Sequence, residues 1–221
     1  MIDANTSLGD LVTADPGRVM VLEGLGLDFC CHGERSLAQA CTEAGRDVGR
    51  VVALLEAATV GPGAAAEWAT LDPAGLVDHI VVTHHAYLRR EAPTMASLAR
   101  KVLGAHGERH AELGAVTATY ARLWAELEPH LDEEEATLFP AIREDRAVVA
   151  DDVRHLEGEH EAVGALLDEL RTLTGDFTVP DDGCASYDAF YRGLEAIDRD
   201  TRLHVHKENN VLFPAVAAAA L

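Results

Sequence analysis

The sequence predicts an all-α protein, a four-helix bundle preceded by a small helical domain. Three observations predict it. Apolar residues recur at helical spacing, with few of the β-branched alternations that mark strands. Capping residues and glycine stops bound short runs before residue 58 and much longer runs after residue 72. Between them lies a Gly, Pro and Ala cluster over residues 60–66, which places a linker at 58–72. The 221 residues, at roughly 150 per domain, fit one large and one small domain. With 48% apolar residues the chain has ample core material, and disorder throughout is excluded.

In the first domain, residues 1–57, each helix carries its own punctuation. Ser7 heads Leu8 to Thr13, and Asp15 with Pro16 heads Arg18 to Leu25. Ser36 and Gln39 have the spacing of a capping box, and Gly26 and Gly45 read as stops. A last helix, about Val48 to Ala58, buries Val51, Val52, Leu54 and Leu55. A domain this small is marginal alone, so docking or dimerisation would help it.

The second domain, residues 73–221, holds four long runs at about 73–104, 108–144, 152–174 and 184–219. Asp72-Pro73, Asp151-Asp152 and the Ser186 region start them; Gly104, Gly107 and Gly175 are expected to break them. Pro93, Pro129, Pro140 and Pro214 fall inside these runs, each removing a donor and crowding the carbonyl four residues back. Kinks are expected there.

Charge narrows the function. Eighteen basic against 38 acidic residues give a formal charge of −20, which opposes a non-specific grip on nucleic acid or an anionic membrane. No apolar run approaches the roughly 18 residues of a membrane span, and the opening residues lack a basic, apolar leader. A cytoplasmic protein with reduced thiols is expected. Its four cysteines are too few for a disulfide framework, and no C-x-x-C pair suggests structural zinc. No phosphate loop or nucleotide motif is present.

Histidine carries the chemistry: ten of the 11 lie between His79 and His206. Residues 130–140 and 204–214 both read H-x-x-x-E-x-x-x-L-F-P. His85 precedes His130 by 45 residues and His160 precedes His204 by 44, so the domain reads as a duplicated helix pair. Residues i and i+4 of a helix differ by about 40° in direction, so each His and Glu point the same way. Burying two carboxylates and four imidazoles would cost several kcal/mol per charge unless a cation sat among them.

His85, His130, Glu134, His160, His204 and Glu208 are therefore the candidate metal ligands. Imidazole with carboxylate suits iron, manganese or zinc, and carboxylates from two pseudo-symmetric halves can bridge two ions. Two ferrous ions bring +4 against −2 from Glu134 and Glu208, and an oxo or hydroxo bridge can offset oxidation. Two His per ion, shared carboxylates and that bridge leave a position for a small ligand. Structural zinc would be closed and mononuclear, usually with cysteine.

A single H-x-x-x-E is most often a solvated ion pair; the repetition, with matched upstream histidines, reverses that reading. His84 lies about 100° round the helix from His85, His206 about 200° from His204, and His155 about 140° from His160. These are read as outer or surface groups, and the spacing favours His85 over His84. His79, His106 and His110 lack a counterpart in the other half. Glu126 and Glu159, beside His130 and His160, are candidates for outer carboxylates or solvated acids. The Leu-Phe pairs at 138–139 and 212–213 read as core.

With these residues placed, the sequence resembles the iron–sulfur cluster repair di-iron proteins, the repair-of-iron-centres family. The resemblance covers roughly 7–57 and 75–216. It rests on Leu27-Asp28-Phe29-Cys30-Cys31-His32-Gly33 and Leu37-Ala38-Gln39-Ala40-Cys41, similar to that family's ScdA-type N-terminal domain, and on the His/Glu pattern of a hemerythrin-like bundle. It implies a non-haem di-iron protein that helps restore clusters damaged by nitrosative or oxidative stress, as a homodimer. Iron delivery and NO reduction are the two routes it implies. His85 and His130 would serve one half and His160 and His204 the other, with Glu134 and Glu208 bridging.

Cys30-Cys31 lies between a helix stop and the helix starting near Ser36, where that N-terminus and Arg35 could lower a thiol pKa. The pair is expected to exchange electrons, bind iron in transit or contact a client cluster. Cys41 and Cys184 are expected to be simply buried. A second reading is a hemerythrin-like carrier or sensor of O2 or NO; iron storage ranks third, because one two-metal site stores little. The cysteine-bearing domain favours repair.

Overall fold

The structure is a computed structural model and describes residues 1–58 and 67–219. Of the linker expected over 58–72, residues 59–66 lie outside the described residues. Among the described residues there is no strand; one isolated bridge joins Ser7 to Ser36. No described helix is long and apolar enough to cross a membrane. The chain falls into two compact units.

The first unit comprises Met1–His79, Ile142–Val148 and Leu203–Leu221. Its helices begin where local side chains satisfy the open backbone donors. Ser7 accepts from the Asp10 amide and starts α1 (Leu8–Ala14). Asp15 accepts from the Gly17 amide over the turn Pro16–Arg18, which leads into α2 (Val19–Leu25). At Gly26 the backbone turns left-handed, φ +68°, a conformation that favours glycine, and α2 stops. The Ser36–Gln39 capping box forms in both directions ahead of α3 (Leu37–Glu43), and Asp47 caps α4 (Val48–Ala57). The core of this unit gathers Leu8, Leu11, Val12, Leu22, Phe29, Leu37, Cys41, Leu55 and Val205. Leu54, expected inside, is exposed.

The second unit, Ile80–Ala141 with Val149–Arg202, is built on four long helical stretches. Short α5 (Pro73–Ile80) leads through Val81–His85 into α6 (Ala86–His106), and α7 (Glu112–Glu133) leads through Glu134–Leu138 into α8 (Phe139–Arg143). Then come α9 (Ala150–Leu173) and α10 (Ala185–Lys207), of which the residues past Arg202, with the following Glu208–Leu212 and α11 (Phe213–Ala219), belong to the first unit. Leu88, Val102, Leu113, Val116, Leu131, Val163, Leu167, Tyr187, Phe190 and Leu194 interdigitate as this unit's core. Buried Asp198 receives both Arg171 and Arg202, which keeps its charge paired.

Two local expectations change. Gly104 does not end α6; the helix runs on to His106, because a lone interior glycine costs only about 1 kcal/mol against alanine. Where Pro140 and Pro214 follow the repeat, the departure from α geometry is a π turn, with Phe139 N–H reaching the Glu134 carbonyl and Phe213 N–H the Glu208 carbonyl. A proline cannot donate to the carbonyl four residues back and crowds it, so a widened turn just before it relieves the clash. A third π turn spans Val81–His85. Every one of these turns contains a candidate ligand.

Candidate metal centre

The second unit brings His85, His130, Glu134 and His160 together, all fully buried or nearly so. Glu134 Oε2 lies 3.4 Å from His85 Nε2 and Glu134 Oε1 lies 3.5 Å from His130 Nε2, so one carboxylate offers an oxygen to each of two imidazoles. His130 Nε2 also faces His160 Nε2 at 3.0 Å. The His130, Glu134 and His160 ligand atoms lie within 4.8 Å of one another. The His85 ring stacks on Phe139, with centroids 5.5 Å apart.

The far side of each ring explains its orientation. His85 Nδ1 pairs with Glu135 Oε1 at 2.8 Å, and His130 Nδ1 with Glu159 Oε2 at 2.7 Å. A carboxylate only accepts, so Nδ1 carries the proton in both rings and each Nε2 presents a lone pair inward. Burial raises the Glu135 pKa, but hydrogen bonds from His85 and Arg89 outweigh it and hold the group below the usual carboxylate range. Arg89 in turn is shared between Glu135 and Asp132. Inward lone pairs converging on a buried carboxylate repel one another and are drawn together by a cation, so this donor set fits a transition metal of the iron, manganese or zinc class.

The first unit holds the other repeat. His204 Nε2 and Glu208 Oε1 are 2.9 Å apart, both fully buried. The π turn carrying Glu208 is tied to the cysteine loop: Asn210 Nδ2 donates to the carbonyls of Cys30 and Phe29 at 3.0 and 3.3 Å, and Asn209 Nδ2 to Cys30 at 3.3 Å. Gly9 and Gly33 permit this approach, since a Cβ at either would come within 2.6 or 2.1 Å of Asn210 Oδ1.

The remaining histidines sort by what they touch. His84 turns to Asp200 at 2.9 Å, a partner distinct from the carboxylates that His85 meets. His206 is buried; its Nδ1–H donates to the Phe29 carbonyl at 3.4 Å and its Nε2 accepts from Thr13 at 3.2 Å. Burial lowers its pKa to about 4, so the ring is a neutral pin within the first unit. His79 accepts from buried Lys207 at 2.9 Å, and Lys207 also lies over the Trp68 ring. His155 is exposed, and so is Glu126. Glu135, Arg89 and Asp132 were not singled out from the sequence; the i, i+4 spacing of His85 and Arg89 was the available signal.

The cysteines depart from expectation. Cys30 is buried and Cys31 half-buried, their sulfurs 3.8 Å apart. Their neighbour is acidic rather than basic: Asp28 Oδ1 accepts from the amides of Cys30 and Cys31 at 3.1 and 3.0 Å and from Cys30 Sγ at 3.3 Å. Burial raises the Asp28 pKa, but these bonds and the one from His32 outweigh it and leave the carboxyl below its usual value. Arg35, the expected thiol activator, is engaged by Glu43 at 2.6 Å. Cys41 is buried as expected, whereas Cys184 is exposed. Helix α10 begins directly after it and leaves its side chain outside the core.

The Hemerythrin HHE cation binding domain matches residues 76–216, and the ScdA_N domain (domain of unknown function DUF542) matches residues 4–59. The chain is 32% identical over 211 residues to proteins named iron-sulfur cluster repair protein YtfE from Yersinia pestis (strain Pestoides F) and from Yersinia pseudotuberculosis serotype O:1b (strain IP 31758). Each alignment covers 95% of this chain and 96% of the relative. The chain belongs to the iron–sulfur cluster repair family, with a ScdA-type domain followed by a hemerythrin-type cation-binding domain.

Proposed function

We propose that this protein repairs iron–sulfur clusters damaged by nitrosative or oxidative stress, using a non-haem di-iron centre. The observation that carries this reading is Glu134, whose two oxygens face two imidazoles inside a fully buried pocket. In the proposed centre His130 and His160 hold one iron, because their Nε2 atoms face each other. His85, Glu134 and the repeat residues His204 and Glu208 would complete the ligand set, with the two glutamates as the shared carboxylates. The sequence repeat and the matching His204–Glu208 pair support assigning the second half by analogy to the first.

When bound, the iron pair supplies electrons for reducing a small ligand or iron for a damaged cluster. The chain's own residues set the conditions. Glu135 and Glu159 keep the Nδ1 protons in place so that Nε2 remains a ligand, and burial of Glu134 and Glu208 excludes competing water. Cys30 and Cys31, beside an anionic Asp28, form a sulfur and oxygen donor set within 4.8 Å of one another. This set is the proposed point of contact with iron in transit or with a client cluster. Client iron–sulfur proteins, NO or O2, and a second copy of the chain are the partners named by this reading, and the cytoplasm is its compartment.

The test is restoration of an enzyme whose cluster has been damaged by NO. Substoichiometric protein restores activity over several turnovers, and replacing Cys30 and Cys31 by Ser slows this. Nitrous oxide formed over many turnovers under anaerobic NO identifies reduction as the route, while stoichiometric emptying of iron identifies delivery. One-to-one NO binding with neither N2O nor restored activity would replace repair by a carrier or sensor role.

A further inference from the structure

A second cluster of reactive side chains lies within the second unit, at the end of α6 away from His85. His106 closes α6, about 30 Å along the helix from His85 at the usual rise per residue. His106 is nine-tenths buried, and its Nε2 lies 3.2 Å from Cys184 Sγ, while Arg109 Nη2 lies 3.1 Å from its Nδ1. A guanidinium can only donate, so Nδ1 is the acceptor and Nε2 carries the proton toward sulfur. The Tyr187 ring meets the His106 ring edge-on at 5.3 Å and limits its rotation.

Cys184 itself is exposed and stands immediately before α10. The remaining charged groups facing this cluster are mutually satisfied. Asp182 takes Arg109 Nε at 3.1 Å and His110 Nε2 at 2.9 Å, and Glu112 lies 3.3 Å from His110 Nδ1. The hydrogen bond from His106, helped by the amides of Tyr187 and Ser186, lowers the Cys184 pKa to about 7, against an ordinary thiol near 8.5.

We propose that Cys184 is a reversible redox-modification site, an exposed thiolate oriented by His106 and Arg109 that exchanges with low-molecular-weight disulfides. The thiolate attacks one sulfur of the reagent. A new S–S bond to Cys184 forms as the reagent's S–S bond breaks, and the departing thiolate takes a proton from solvent. The Cys184 sulfur is oxidised and the leaving sulfur reduced, so no further oxidant is needed. A thiol that titrates near ambient pH is close to the optimum for this exchange. Cys30 and Cys41 are buried, and Cys31 is half-buried beside a carboxylate, so none of the three matches this setting.

The experiment treats the full-length, iron-loaded protein with oxidised glutathione and locates adducts by peptide mass. It also measures the pH dependence of iodoacetamide labelling at each cysteine. The first adduct forms at Cys184, a thiol reductant removes it, and the Cys184 labelling midpoint falls near pH 7. At pH 7.4 the thiolate fraction is about tenfold that of an ordinary thiol, partly offset by lower intrinsic nucleophilicity, so the midpoint is the deciding reading. His106→Gln moves the midpoint upward by at least half a unit. Arg109→Gln, at an exposed position, does so without disturbing the core. A wild-type midpoint at or above 8.5, or a first adduct at Cys31, overturns the proposal.

Discussion

Replacing Glu159 separates a ligand-orienting role from a merely acidic surface. Its Oε2 holds the His130 Nδ1 proton at 2.7 Å, while the side chain remains one-third exposed and its other oxygen lies 3.4 Å from His155. In Glu159→Gln an amide oxygen still accepts that proton, so only the ionic part of the bond is lost, about 1 kcal/mol or five- to tenfold in metal affinity. Glu159→Ala removes the bond itself and carries the loss to about 30-fold, the middle of the 10–100-fold range typical of such partners, about 2 kcal/mol. The assay is anaerobic competition for ferrous iron against a chromophoric chelator of known affinity, with far-UV circular dichroism as the check on folding. Glu126→Gln is the control, because Glu126 is acidic, one turn before His130, and exposed. The predicted order is wild type and Glu126→Gln together, then Glu159→Gln, then Glu159→Ala. Wild-type affinity in Glu159→Ala, or an equal loss in Glu126→Gln, would refute the orienting role.

Other perturbations address the scaffold. Asp198→Ala removes the buried carboxylate that Arg171 and Arg202 share, leaving Arg171 to Asp176 and Arg202 to Asp168, and is expected to lower stability by about 2 kcal/mol, read from urea midpoints. Gly33→Ala drives a methyl group against Asn210 and the Phe29 carbonyl; a loss of about 2 kcal/mol is expected, together with faster labelling of Cys30 as its carbonyl loses Asn210. Ser36→Ala removes the hydroxyl that accepts from the Gln39 amide, while the residue 36 amide still donates to Gln39 Oε1, and is expected to cost about 1 kcal/mol, measured as a lowered thermal midpoint.

What could be read from the sequence was what is decided locally or by repetition. Ser7, Asp15 and Ser36 cap helices because the bonds they make span only two or three residues. The repeated H-x-x-x-E is legible because α-helical periodicity converts spacing directly into direction. The π turns were not legible as such: a proline signals only that the ladder must give way, and whether it kinks or widens depends on packing. Glu135 reaches His85, and Arg89 reaches Glu135, across fifty and forty-six residues of sequence, so nothing in Glu135's own neighbourhood marks it. The cysteine loop misled for a related reason. Arg35 is close to Cys31 in sequence, but Glu43 claims it, and Asp28 instead sets the field around the sulfurs. Cys184 was read as core because free cysteine usually is, whereas its position just before α10 leaves it in solvent.

The central claim is a dinuclear centre bridged by Glu134 and Glu208, and metal content tests it most directly. Iron and protein are quantified together on samples reconstituted anaerobically with ferrous iron and passed through a desalting column. Two irons per chain are predicted for the wild type, with both falling together in Glu134→Ala and in Glu208→Ala while the helical circular dichroism persists. A single iron per chain in the wild type, or two irons retained when either glutamate is removed, would contradict the account.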